Sequence, residues 1–116
     1  MRNMLIMGWK GSKTGREAIS AAHFQEVVAF LGSQQREKRI EAWEPIFMDP
    51  HGATLQGFFL IRGSTAQLDA LQNNEAWQEH VTRAILHLED VVHARATGGD
   101  QVPNLMQRWT KYIPKT

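Results

Sequence analysis

Two histidines fall where a helix face should be apolar. His23 lies among Ile19, Val27 and Phe30, and His80 follows Trp77 by one turn, beside Val81 and Ala84. Both should point at a sheet and line one cavity. A neutral imidazole in that setting offers one donor and one acceptor with a pKa near neutrality, which suits proton transfer or the orientation of a polar ligand. The plain alternative is a core histidine satisfied by a backbone carbonyl. Ser20 sits one turn before His23 and can reach its ring, and with Trp77 and Phe59 it makes a candidate ligand-binding wall. Trp77, like Trp43, reads first as a packing residue and only second as a ligand platform. No third group completes a nucleophilic triad, and there is no Gly-x-Ser-x-Gly elbow. His23, His80 and His93 lack a short ligand spacing such as His-x-x-x-His, so no metal site is expected and no cofactor is required.

Those side chains must be placed by an alternating set of elements. Met4 to Trp9 is an apolar run without helical period, stopped by Gly11-Ser12-Lys13-Thr14-Gly15, and predicts a strand and turn. Thr14 and Glu17 have capping-box spacing, and Gly32 should close the helix that follows. Its buried stripe reads Ile19, Ser20, His23, Phe24, Val27, Phe30 and Leu31. Arg39 to Met48, the turn Asp49-Pro50-His51-Gly52, and Thr54 to Arg62 predict a hairpin. Ser64 and Gln67 form a second capping box, and Asn73-Asn74 can cap a further helix whose stripe is Trp77, His80, Val81, Ala84, Ile85 and Leu88. Val91 to Thr97 predicts the last strand. After Gly98-Gly99, Pro103 opens a terminal helix carrying Leu105, Met106, Trp109, Tyr112 and Ile113 on one side. The order is βαββαβ, an α+β ferredoxin-like arrangement with a four-stranded antiparallel sheet and its helices on one face. Residues 1–97 form this domain, and residues 98–116 form a hinge and helical arm.

Composition narrows the function classes. Across 116 residues, 13 Lys+Arg against 12 Asp+Glu leave a net charge of +1 with both signs interspersed, which argues against nucleic acid as a partner. There is no window apolar and long enough for a membrane span, so a cytoplasmic setting is expected. With no cysteine there is no disulfide, thiolate nucleophile or iron–sulfur site. Alternation along the strands assigns Leu55, Gly57, Phe59, Ile61, Val92, Ala94, Ala96, Met4, Ile6 and Gly8 to the helix-covered face. The other face, with Glu41, Trp43, Phe47, Gln56, Phe58, Leu60, Arg62, His93, Arg95, Leu5, Met7 and Trp9, is too apolar for water yet carries charge. A homodimer that buries it is therefore expected, with Glu41, Arg62, His93 and Arg95 forming an ion-pair network or gripping an anion, and Trp109 anchoring the arm on the partner.

The segment Gly57-Phe58-Phe59-Leu60-Ile61-Arg62-Gly63-Ser64 leading into Glu75-Ala76-Trp77-Gln78-Glu79-His80, with the element order over residues 4–97, resembles the dimeric α/β-barrel superfamily. YCII-like proteins and antibiotic-biosynthesis-monooxygenase-like proteins belong to it. The resemblance implies two sheets packed face to face in a dimer, and a small organic ligand handled by cofactor-free oxidation or proton-shuttling isomerisation, with His80 and His23 as the acid/base pair. It also implies, as an alternative, haem held by His80; the surface, including the tail bearing Arg108, Lys111 and Lys115, leaves a non-catalytic interaction module as a further one.

Overall fold

A computed structural model describes residues 1–115 as an α+β fold built on a four-stranded antiparallel sheet, compatible with the ferredoxin-like arrangement. The elements are β1 (Met4–Trp9), β2 (Gly11–Ser12), α1 (Glu17–Arg36), β3 (Ala42–Phe47), β4 (Gly57–Arg62), α2 (Thr65–Gln72), α3 (Glu75–His87), β5 (Leu88–Glu89), β6 (Val92–Ala96) and α4 (Val102–Lys111), the last preceded by a 3-10 turn at Gly99–Gln101. The main sheet runs β3-β4-β1-β6, and β2 pairs with β5 as a separate two-residue ribbon. Among the described residues no helix is long and apolar enough to cross a membrane.

The helix starts follow local chemistry closely. Ser64 Oγ accepts the Gln67 backbone N–H at 3.1 Å while Gln67 Oε1 accepts the Ser64 N–H at 2.8 Å, a complete capping box. Asn74 Oδ1 accepts the Trp77 N–H at 3.0 Å and starts α3. The box expected at Thr14 is not made: Arg16 holds the N-cap position without a side-chain bond, and the Glu17 carboxylate accepts from Gly15 N–H instead. Nor does Gly32 end α1. The helix runs on to Arg36, which buries Gln34, whose carbonyl accepts the Arg39 N–H at 2.9 Å.

The register of the sheet corrects the assignment of faces. Leu5 pairs with Ile61 and Arg95, Met7 with Phe59 and His93, and Trp43 with Ile61, so these side chains share one face. That face carries the core: Leu5, Met7, Trp9, Phe59 and Ile61 are buried beneath Val27, Leu31, Leu68, Leu71, Trp77 and Ala84. Phe24 of α1 stacks on Phe59 with ring centroids 5.2 Å apart. Met4, Ile6, Gly8, Ala42, Ile46, Phe58, Leu60, Arg62, Val92, Ala94 and Ala96 lie opposite. Phe59 and Ile61 are thus inward as expected, but β1 and β6 have the reverse phase. Phe58, Leu60 and Arg62 stay on the open face.

Trp43, His93 and Arg95, expected at a dimer interface, instead face their own helices. Trp43 packs against Phe59 at 6.4 Å, and His93 Nε2 accepts a hydrogen bond from Trp77 Nε1 at 3.1 Å. The Arg95 side chain is only 6% exposed and binds Asp69 at 2.6 Å, Gln72 at 3.0 Å and the Arg2 carbonyl at 2.8 Å, tying β6 to α2 and the N-terminal segment. A buried guanidinium needs several acceptors to offset its desolvation, and it has them. Glu41 is exposed, and among the described residues neither it nor Arg62 forms an ion pair. Ile19 and Ile85, expected in buried stripes, are exposed.

The arm stands apart. Among the described residues α4 buries none of its own, and Trp109 is 68% exposed with Met106, Tyr112 and Ile113 also open. The radius of gyration, 16.1 Å, exceeds the roughly 13 Å of a compact chain of this length.

A candidate proton-handling pocket

Five side chains from three elements join in one hydrogen-bonded chain. Ser12 Oγ and Ser20 Oγ are 2.7 Å apart, Ser20 Oγ and His87 Nδ1 2.7 Å, His87 Nε2 and His23 Nδ1 2.7 Å, and His23 Nε2 and His80 Nδ1 3.0 Å. Local structure explains the convergence. Ser20 and His23 are one turn apart on α1, and His80 and His87 are two turns apart on α3, so each pair shares a helix face. Ala84, 1% exposed between the two α3 histidines, adds little bulk where the helices meet. The ribbon of β2 and β5 then brings in Ser12: it pairs with Leu88, and Lys13 N–H donates to the His87 carbonyl at 2.8 Å.

His23 and His87 are buried and His80 is half-buried. The His23 ring stacks beside His80 at 5.2 Å and meets His87 edge-on at 5.0 Å, while Phe30 covers His80 at 5.2 Å. Burial, then the nearby Arg83 guanidinium and the neighbouring imidazoles, push the His23 pKa down to about 4. Burial first and Arg83 second also lower His80 and His87. Glu26 and Glu79 oppose the trend at His80, and Arg16 and Lys13 reinforce it at His87. All three rings are thereby held neutral near pH 7, which leaves each with one N–H and one lone pair. His93, an exposed residue of edge strand β6 whose ring Trp77 Nε1 reaches, is lowered too by desolvation but stands outside this chain.

Ser20, His23 and His87 form one wall of a cavity of about 210 Å³, and Met7, Trp9, Phe24, Val27 and Phe47 form much of the rest. Exposed Phe47 and Ala21 mark its mouth. The volume exceeds the ~150 Å³ that accommodates benzene and falls short of the roughly 300 Å³ at which drug-sized pockets begin. It suits one substituted ring.

His23 and Ser20 do line the cavity. Trp77 does not: it is 1% exposed, stacked on Phe30 at 6.1 Å, and belongs to the core. Phe59 lies behind the cavity wall, against Trp9 and Phe24. His80 does not border the cavity and reaches it only through His23. Ser20 bonds His87 rather than His23. His87 itself escaped the sequence reading because it ends α3, where a residue counts as boundary. Its spacing of seven from His80 and three from Ala84 was the available signal.

The ring nitrogens face one another in series rather than a common point, and among the described residues no group of three His, Cys, Asp or Glu side chains could hold a metal ion. The cavity is smaller than a drug-sized pocket, and His80, the residue expected to ligate haem, lies outside it. No protein-family profile matches the chain, and neither does any curated protein or solved structure.

Proposed function

We propose that the protein binds a small, mostly apolar organic molecule of about one ring in the cavity between its sheet and α1 and α3, and that Ser20, His23 and His87 move a proton on it without a cofactor. The observation that carries this reading is that an almost wholly apolar cavity is bordered by Ser20, His23 and His87, whose hydroxyl and imidazole groups lie together in one hydrogen-bonded chain. Apolar walls hold the ligand and strengthen polar contacts by excluding water. Neutral imidazoles beside it act as bases or, once protonated, as acids. Proton-shuttling isomerisation and cofactor-free oxidation, the activities implied by the resemblance to dimeric α/β-barrel proteins, both begin with such a transfer. The test is a thermal-shift and ligand-detected NMR screen of single-ring aromatics and lactones on the wild type and Ala21→Trp, whose indole fills the mouth from an exposed helix position. Binding should be selective and lost in Ala21→Trp with the fold retained; identical profiles for the two proteins would remove the pocket.

A second copy of the chain is proposed to cover the open face of the sheet. Support comes from its composition: Met4, Ile6, Ile46, Phe58, Leu60, Val92, Ala94 and Ala96 are contiguous across four strands, an apolar patch of the kind that marks interaction sites. Sedimentation at micromolar concentration should find a dimer. A monomer there would refute the assembly and leave the fold intact.

A further inference from the structure

We infer that Ser12, Ser20, His87, His23 and His80 form a directional proton wire that leads from solvent at His80 to the cavity wall at Ser20, so that Ser20 is the group that hands a proton to the bound molecule. Its purpose rests on the cavity being a ligand site; its geometry does not.

Direction follows from donor and acceptor arithmetic. Both nitrogens of His23 and both of His87 are engaged, and a neutral ring has a single N–H, so each ring must donate at one end and accept at the other. The far end sets the sense. Ser12 Oγ lies 3.3 Å from the Lys13 carbonyl and 3.5 Å from the His87 carbonyl, and a carbonyl only accepts. The Ser12 proton therefore points there, and its oxygen accepts from Ser20. In turn Ser20 accepts from His87 Nδ1–H, His87 Nε2 from His23 Nδ1–H, and His23 Nε2 from His80 Nδ1–H. His80 Nε2 is left as the free basic nitrogen, without a hydrogen-bond partner among the described residues, on a half-buried ring.

A proton taken from water at His80 Nε2 then needs only short hops. As that N–H bond forms, the Nδ1–H bond of His80 breaks and one forms at His23 Nε2. The His23 Nδ1 proton passes to His87 Nε2, and the His87 Nδ1 proton passes to Ser20 Oγ. The original Ser20 proton, swung from Ser12 towards the cavity, bonds to the ligand's basic atom. One proton leaves solvent, one reaches the ligand, and every protein group ends with the number it began with. Each ring is left in its other tautomer, and returning a proton by the same route restores it. The wire is thus matched to a reaction that adds a proton at one ligand atom and removes one from another, which is isomerisation rather than net oxidation. The charges facing the wire are the Arg83–Glu26 ion pair beside the rings, Glu79 at His80, and Arg16 and Lys13 at His87; burial and the cations disfavour a resting imidazolium, against the opposing pull of Glu26 and Glu79.

The test needs no ligand. Long-range 15N NMR of the wild type should find His23, His80 and His87 all as Nδ1–H tautomers, whereas free histidine favours Nε2–H. In His80→Gln the amide N–H still donates to His23 Nε2 but cannot pass a proton on. The His23 and His87 ring protons should then lose their fast exchange with solvent while their chemical shifts stay native-like. An Nε2–H tautomer at any of the three rings, or unchanged exchange in His80→Gln, overturns the wire. Failure of the ligand screen alone would remove the pocket reading and leave these results standing.

Discussion

Leu5 and Ile6 are adjacent, alike in chemistry and paired in one sheet, yet Leu5 is fully buried beneath the helices and Ile6 lies on the open face. The same contrast separates Phe59 from Phe58. Hydrophobicity does not choose between the two faces; shape and partners do. The covered face offers Trp9 and Phe59 to Phe24 of α1, and it places His93 and Arg95 where Trp77 and Asp69 satisfy them. The open face has apolar bulk broken by Glu44 and Arg62, neither of which forms an ion pair among the described residues. Burial beneath the chain's own helices demands specific partners for every polar atom, whereas a face awaiting another molecule is more uniform.

Trp77→Ala should cut deepest, by about 3–5 kcal/mol of folding stability, because it empties the core between α1 and the sheet and strips His93 of its donor. A denaturant midpoint measures it, and a small loss would erase the distinction between the faces. Phe58→Asp, one residue from the core position Phe59, should leave the circular dichroism unchanged and abolish the proposed dimer, a cost of about 3 kcal/mol of association free energy for a charge buried without a partner. Unfolding of that variant would mean the open face is core after all. Trp109→Ala should weaken the dimer by about 2 kcal/mol in equilibrium sedimentation, with no effect on the fold of residues 4–97.

Acid should act on the covered side alone. His23 has a folded pKa of about 4, below the ordinary value of 6.5, so the unfolded chain binds more protons between those limits and stability falls as pH drops through the window. The loss should reach about 1 kcal/mol near pH 5.5 from His23 alone. His23→Phe should flatten that slope, and a slope unchanged by it would place the titrating groups elsewhere. Glu26→Gln should shift the denaturant midpoint least, since the Glu26–Arg83 pair is about half exposed at both side chains and solvent screens it.

Much of this contrast was legible in the residues. Element order, the Ser64–Gln67 box, the Asn74 cap and the inward phase of β4 follow from local signals that need no tertiary context. The phase of β1 was not legible, because Met4-Leu5-Ile6-Met7 is apolar on both sides and alternation then carries no information; pairing with β4 decides it. Arg95 misled for the opposite reason, since a charged residue reads as outward until Asp69 and Gln72, distant in sequence, arrive to bind it. At the site, His23 was placed correctly by helical period. The connection through His87 to two serines depends on a two-residue ribbon that has almost no sequence signature.

The root of the arm has one further effect. Asn3 grips Gly98 at both ends of its peptide group, donating to its carbonyl and accepting its N–H, each at 3.0 Å. A Cβ at Gly98 would collide with the Met4 thioether, and the Met1 ammonium donates to Gln101 at 3.1 Å. What reads in sequence as a loose Gly-Gly joint is thus a riveted bracket, from which α4 projects like a boom at a set angle. A boom cannot fold back to shelter Trp109 on its own chain. It also gives up little freedom when a neighbour takes hold of it, so most of the orientational entropy of docking is spent at folding rather than at encounter.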